Sequence, residues 1–514
     1  FYAGHYFTDA HKSGRFLSLL LAFTGSMLAL VLSGNVITLF ISWELTSIIS
    51  FLLISFYGNE AKARSGALQA LIITGGGGLA LFIGLMLLGT ASGSMELSEI
   101  LASRTAIQES PFFIAISVLI FVGCFTKSAQ WPFHFWLPDA MSAPTPASAF
   151  LHSATMVKAG IYLLARLYPV LGDTPIWTNT LLTVGLFTML YSSLVALRQR
   201  DLKGCLAFST VSQLGALVAL LGLPHDAGIK AAMVGLLAHA LYKAALFLVV
   251  GAVDHSLGSR SLDHVGALRS KMPGFAVVTG IAALSMAGIP PLLGFVAKEQ
   301  LLETMEHYSP IALIIAVASA AFTVAMALIL FWDIFISHPP KPDHNLHFHP
   351  PSRLLVGGPM VLAVASIILG LGVGPLVTPL IQPMFNDPIK LYLFAPEIIN
   401  LPLLLSTAAI AVGFFVFRLR NIWLQWNIFT LPSGTAIFNT VIYQAERLGD
   451  FLLKSQSGKV RYYLVIILTT LILLMLSTGF TSLFSVSQLN ITVTSTLDFL
   501  KAVLLILAVG ATAA

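Results

Sequence analysis

Residues 112–139 read FFIAISVLIFVGCFTKSAQWPFHFWLPD, and this pattern decides the fold. From Phe112 to Thr126 no side chain carries a charge; a single lysine, Lys127, then stands just before Gln130, Trp131 and Pro132. Hydrocarbon offers no partner to a backbone N–H or C=O, so a run this apolar reads as a membrane helix, which satisfies its own backbone. Pro132 deletes one backbone donor and is predicted to break the helix just after Lys127. The ammonium then sits beside freed carbonyls, a polar arrangement that membranes tolerate where backbone lines a cavity.

Working outward, similar runs fill the chain. Hydrophobic residues make up 57% and charged residues 10% of 514 residues, with a mean hydropathy of +0.89, whereas a soluble domain carries about 25% charged residues. Roughly 13 or 14 stretches approach the ~20 residues a bilayer core demands. They begin with Phe16–Leu32, Val36–Tyr57, Gly66–Gly89, Phe112–Ala129 and Ala147–Tyr168, and continue with Ile176–Leu197, Leu202–Leu223 and Lys230–Val253. Phe275–Leu302, interrupted by Pro290-Pro291, comes next, then Pro310–Ile336, Leu354–Ile381 and Leu401–Phe417. Gly434–Lys454 differs: Ile437, Val441, Leu448 and Leu452 share helical spacing with Gln444, Glu446, Arg447 and Asp450 between them, as in a helix lying at an interface. Further spans start near Arg461 and Thr496. The fold class is all-α, a polytopic membrane helix bundle.

The net charge of +5 does not imply nucleic acid, because Lys and Arg at span ends are a topology signal. Lys12/Arg15, Lys62/Arg64, Arg198/Arg200/Lys203 and Arg260/Arg269/Lys271 mark one side as cytoplasmic by the positive-inside rule, in which only Lys and Arg count. The opposite connections are mainly acidic, with Glu96, Glu99 and Glu109 outweighing Arg104 in one and Glu303 and Glu306 in another. Cys124 and Cys205 lie in apolar spans without a metal-ligand or redox spacing and read as small buried hydrophobes. The four glycines 75–78 lack the lysine and strand of a phosphate loop and predict close helix packing or local unwinding. His338, His344, His347 and His349 cluster in a proline-rich segment that reads as a polar loop. No nucleophile triad, haem motif, iron–sulfur spacing or nucleotide fingerprint is present, so no cofactor and no metal is expected.

The informative residues are charges inside spans. Each costs about 2.5–3.5 kcal/mol at the bilayer centre on insertion scales, so several in one bundle point to function. Glu44 and Lys127 lie in the second and fourth runs, His152 and Lys158 in the fifth, His239 and Lys243 in the eighth, and Lys298 follows Pro290-Pro291 in the ninth. His239 and Lys243, four apart, are predicted to share a helix face; His152 and Lys158, six apart, do so only approximately. A desolvated lysine gives up its proton more readily than one in water, and histidine titrates near neutrality, so such a row suits proton transfer. A carboxylate such as Glu44 moving towards or away from Lys127 would load or discharge it.

Spans one to five and six to ten form two candidate units, each with a broken helix as its fourth member. An odd number of spans per unit makes the second enter from the opposite side, which is inverted topology. The predicted organisation is a first repeat at 1–170, a second at 171–337, additional helices at 338–420, and a lateral helix with C-terminal spans at 421–514.

Trp43-Glu44-Leu45-Thr46-Ser47, FTKSAQWPFHFWLPD at 125–139 and APTPASAFLHSATMVKAGIYLLAR at 143–166 resemble the proton-conducting antiporter family shared by complex I and Mrp-type cation/proton antiporters. The likeness runs from about Phe1 to at least Leu302, and its motifs are more similar to the large A-type subunits of Mrp antiporters than to those of complex I. The resemblance implies that Glu44 is the family's essential glutamate, Lys127 its partner lysine, His152, Lys158, His239 and Lys243 the relay, and Lys298 the terminal lysine of the second half-channel. It implies a transporter rather than an enzyme: one subunit of a multisubunit cation/proton antiporter in a prokaryotic cell membrane, with other hydrophobic subunits, the lipid bilayer, H+ and Na+ as partners. The alternatives are a proton-pumping subunit of a complex I-type NADH:quinone oxidoreductase or of a related hydrogenase or bicarbonate-uptake complex, and a structural scaffold with vestigial charges. Family members carry about three helices before the first span seen here, so Phe1 reads as an internal start.

Overall fold

A computed structural model describes residues 2–7, 9–224, 226–339, 341, 348–394, 400–423, 434–455 and 460–477. Among the described residues, ten helices are long and apolar enough to cross a membrane, and three shorter apolar ones accompany them. The chain is a multi-pass membrane protein. Among the described residues there is no strand, only the isolated bridges Asn35–Glu96 and Asp201–Ser261.

The predicted runs become α1 (Ala10–Leu32), α2 (Val36–Ile54), α3 (Ala61–Ser92), α4 (Phe113–Lys127), α5 (Thr145–Ser153), α6 (Ala159–Leu171), α7 (Pro175–Arg198) and α8 (Leu202–Gly222). They continue as α9 (Asp226–Leu257), α10 (Pro273–Ala287), α11 (Leu293–Tyr308), α12 (Pro310–Leu328), α13 (Gly357–Leu371) and α14 (Leu401–Arg418). Side-chain caps define several starts: Asp9, Asn35, Asp201, Ser309 and Asn400 each accept from a backbone N–H in the first turn. The predicted span Leu354–Ile381 is shorter than expected; α13 ends at Leu371, and Gly372 leads into a π-helical turn at Val373–Val377.

Loops are tied in two groups. The connections after α7 and α9 are held together by Leu202 N–H to Arg260 O at 3.0 Å, Leu262 N–H to Arg200 O at 2.9 Å and the Arg260–Asp201 ion pair. The connections after α1 and α3 are joined by Val36 N–H to Met95 O at 3.0 Å and Leu97 N–H to Gly34 O at 2.7 Å. The two basic connections after α7 and α9, which charge assigned to one side, therefore lie together.

The helices break at both proline sites, Pro132 and Pro290-Pro291, and both breaks begin with the same closure. After Lys127, Ala129 takes a left-handed φ of 50° and Gln130 N–H reaches back to Phe125 O at 2.8 Å. After Ala287, Gly288 has φ 70° and Ile289 N–H reaches Leu284 O at 3.0 Å. This six-residue turn satisfies carbonyls a helix end would orphan. Glycine adopts it without penalty; for Ala129 it costs roughly 1–2 kcal/mol.

A third break was not predicted. The expected continuous helix over Ala147–Tyr168 is divided: α5 stops at Ser153, Met156–Lys158 form a 3₁₀ turn, and α6 restarts at Ala159. Thr155 Oγ1 donates to Phe150 O at 2.7 Å and Lys158 N–H to Thr155 O at 2.8 Å, so a hydroxyl competes with the helix for its own carbonyl. His152 and Lys158 consequently sit on opposite sides of a break rather than on one helix.

The glycine run leads to packing, not unwinding, because α3 is continuous from Ala61 to Ser92. A Cβ on Gly77 would overlap the Thr126 side chain and one on Gly78 the Glu44 carboxylate, whereas Gly75 and Gly76 face open space.

Contacts divide the chain into two units, Phe1–Thr435 and Ala436–Ala514. Gly434–Ser455 forms the amphipathic helix α15, with Ile437, Val441 and Leu448 exposed, and Val460–Ser477 forms α16. The span expected near Thr496 lies outside the described residues, as do His344 and His347.

Candidate functional site

The site is built on helices rather than loops. Lys127, at the last position of α4, is fully buried and donates from Nζ to Ser47 Oγ at 2.6 Å and Trp43 O at 3.0 Å, with the Trp43 ring 5.2 Å away. Both acceptors belong to α2, so the ammonium reaches across to a neighbouring helix, not to the carbonyls freed by its own break. Glu44, between those acceptors in sequence, is half-buried; its Oε1 has no hydrogen-bond partner, and it makes no ion pair within 4.0 Å of Lys127.

Across the α4 break, Trp136 Nε1 donates to Thr126 O at 2.9 Å, and the Trp136 ring lies 6.3 Å from that of His152. His152 is fully buried, and neither ring nitrogen has a partner. Lys158, 4% exposed, donates to Leu236 O on α9 at 3.0 Å. One turn further along α9 comes His239, fully buried beside Tyr242, its ring nitrogens also without a hydrogen bond of normal geometry. His239 is within electrostatic reach of both Lys158 and Lys243. Lys243, fully buried, donates to Ser209 Oγ on α8. Lys298, in the first turns of α11, reaches back across the second break and donates to Ala287 O at 3.1 Å. Here the lysine does use a carbonyl freed by a broken helix, as the sequence predicted for both breaks.

Lys298 also lines a cavity of about 50 Å³ together with Tyr242, the residue before Lys243. Beside it on α11, Glu299 lines a separate cavity of about 290 Å³ with Lys230, Glu303 and Lys390.

Some buried polar residues escaped the sequence reading. Lys203, taken for a loop charge, is only 3% exposed; its Nζ donates to Ala143 O at 3.1 Å, and it lies within electrostatic reach of His152. Its place after the N-cap Asp201 disguised it as an interfacial lysine. His134, in the segment after the first break, is buried against Tyr191 with Nδ1 unpartnered. Cys124 and Cys205 are buried free thiols, as expected.

Every ion pair among the described residues uses arginine: Arg104–Asp173, Arg200–Asp263, Arg260–Asp201 and Arg420–Asp333. The buried lysines instead bind neutral carbonyls and hydroxyls. Such partners accept from an ammonium without locking it in place with a fixed opposite charge.

A family profile described as NADH:quinone oxidoreductase/Mrp antiporter, TM, matches residues 33–323. The chain belongs to this family. It is 40% identical over 457 residues to a probable K(+)/H(+) antiporter A/B component of Rhizobium meliloti (strain 1021), covering 86% of this chain and 46% of that protein. It is 43% identical over 406 residues to the A1 component of a Na(+)/H(+) antiporter of Staphylococcus aureus (strain JH9), covering 74% of this chain and 51% of that protein. A solved structure of the Mrp complex from Dietzia sp. DQ12-45-1b matches with a TM-score of 0.79 and 34% identity, over 90% of this chain and 51% of the matched chain. The chain thus spans about half the length of the curated relatives it matches.

Proposed function

We propose that this chain is an A-type component of a multisubunit complex in a prokaryotic cell membrane that exchanges protons for an alkali cation. Protons pass along Glu44, Lys127, His152, Lys158, His239, Lys243 and Lys298. The observation that carries the reading is the pairing of its lysines. A scaffold with vestigial charges neutralises each buried ammonium with a carboxylate, because an unpaired buried charge is costly. Here Lys127, Lys158 and Lys243 are held by a hydroxyl or a carbonyl, an arrangement that accommodates both the amine and the ammonium. The names of the relatives favour antiport over quinone-linked pumping, and they differ in cation, Na+ in one and K+ in another.

The organisation into a first repeat at 1–170 and an inverted second at 171–337 belongs to the same proposal. It is supported by the common left-handed closure at Ala129 and Gly288. In this reading residues 338–420 add further transmembrane helices, and 421–514 carry a lateral amphipathic helix and C-terminal transmembrane helices.

The test is ΔpH-driven exchange in inverted vesicles holding the assembled complex, with Na+ and K+ added separately. Lys127→Ala is expected to abolish exchange of either cation while the complex still assembles. Wild-type exchange in that variant overturns the relay.

A further inference from the structure

The cavity of about 50 Å³ that Lys298 lines is walled by residues of α7, α8, α9, α10, α11 and α12, with room for a few waters at the roughly 10–15 Å³ of such space that one needs. Most of its wall is alanine, leucine and methionine, and Gln213, Tyr242, Lys298, Ser319 and Thr323 supply polar groups. Ser319 is 3% exposed, and its Oγ has no partner within the protein. Its neighbours are already engaged. Thr323 Oγ1 donates to Ser319 O at 2.9 Å, and the Ser285 hydroxyl pairs with Ser366 at 2.9 Å. A buried hydroxyl normally has a partner, so the bond Ser319 lacks must be made in the cavity.

Two residues of the cavity wall stand next to the Lys243 site. Ser209, which accepts from Lys243, and Gln213, which lines the cavity, are four residues apart on α8 and therefore share a face. Tyr242 reaches the same space from α9.

We propose that this cavity holds an ordered water cluster pinned by Ser319 and Gln213, and that these two are positioning residues for proton passage between Lys243 and Lys298. The inference rests on the relay proposed above. A proton leaving one ammonium protonates the nearest water; the farthest water gives its own proton to the other amine, and the cluster ends neutral. Neither Ser319 nor Gln213 changes its charge. Each fixes water oxygens in line, as bridging waters require.

Two measurements on the assembled complex test this. In hydroxyl-radical footprinting, which labels side chains in contact with bound water, Met189 lines the cavity and Met156 does not, although both are buried. Met189 is expected to oxidise several-fold faster than Met156; equal rates overturn the proposal, whether or not any variant assembles. In vesicles, Ser319→Leu fills the space and is expected to lower the maximal exchange rate about tenfold, leave the half-saturating cation concentration unchanged and enlarge the solvent deuterium isotope effect. Ser319→Thr restores the hydroxyl and is expected to stay near the wild-type rate. An assembled Ser319→Leu complex at the wild-type rate overturns this inference alone, whereas a wild-type rate in Lys298→Ala overturns the underlying relay.

Discussion

Lys127 gives its 2.6 Å hydrogen bond to the Ser47 hydroxyl and makes no ion pair within 4.0 Å with Glu44, three residues earlier on the same helix as Ser47. A neutral hydroxyl thus holds the ammonium in place of the half-buried acid. Ser47→Ala removes that acceptor but leaves Trp43 O, so the ammonium is expected to turn towards Glu44 and form a tighter ion pair. A stronger pair discharges more slowly. Exchange is predicted to fall about tenfold, equivalent to roughly 1.4 kcal/mol on the barrier, without loss of assembly. Glu44→Gln in the same background removes the competing charge, so the double variant is expected to be no slower than Glu44→Gln alone. Independent, additive losses would argue against coupling through Lys127.

Gly78 offers a second handle on the same carboxylate. A methyl group there would overlap Glu44 Oε1, while one on Gly75 meets nothing within 4 Å. Alanine favours a helix over glycine by up to about 1 kcal/mol at either position, so both variants should fold. Gly78→Ala is expected to displace Glu44 and slow exchange several-fold; Gly75→Ala is expected to match the parent. Equal rates in the two variants would show that the position of Glu44 does not matter.

The contrast between these glycines shows how far the sequence could be read. Apolar runs and proline breaks were legible because lipid permits few solutions: an apolar run must be helical, and Pro132 and Pro290-Pro291 must interrupt it. The buried charges were legible for the same reason, since each departs from an otherwise uncharged span. What could not be read depended on partners distant in the chain. Nothing near Gly78 reveals that it faces Glu44 on another helix, and Lys203 looks interfacial until its bond to Ala143 is seen. The break between His152 and Lys158 was hidden because Thr155, unlike proline, opens a helix only when its hydroxyl finds a carbonyl.

Asp333 and Arg420 pair at 2.8 Å, Asp333 being delivered by a π-helical turn at Ile329–Asp333 and Arg420 by the helix end after α14. Arg420 also lies 4.4 Å from the Phe417 ring centre. No relay residue touches this pair, so its role is to hold α14 against the end of α12. Arg420→Ala strands a partly buried carboxylate and is expected to cost about 1–2 kcal/mol, less than for a fully buried pair, read as a lower melting temperature of the detergent-solubilised protein. Asp333→Asn combined with Arg420→Gln should recover most of that loss. A single variant that melts with the parent would mean that the pair contributes nothing to stability.

Lys298 separates a relay from a fixed charge most directly. Its ammonium donates to Ala287 O at 3.1 Å and borders a cavity, so there is room for a larger cationic side chain. Lys298→Arg keeps the positive charge and the donor for that carbonyl, but guanidinium does not give up its proton at any pH the protein survives. If Lys298 serves only to stabilise the broken helix, the arginine variant should retain both assembly and exchange. If Lys298 must release a proton in each cycle, the variant assembles normally and loses exchange as completely as Lys298→Ala. The measurement is the initial rate of proton flux in inverted vesicles for the three forms at matched amounts of assembled complex. Parental flux in the arginine form would remove Lys298 from the relay and end the path at Lys243.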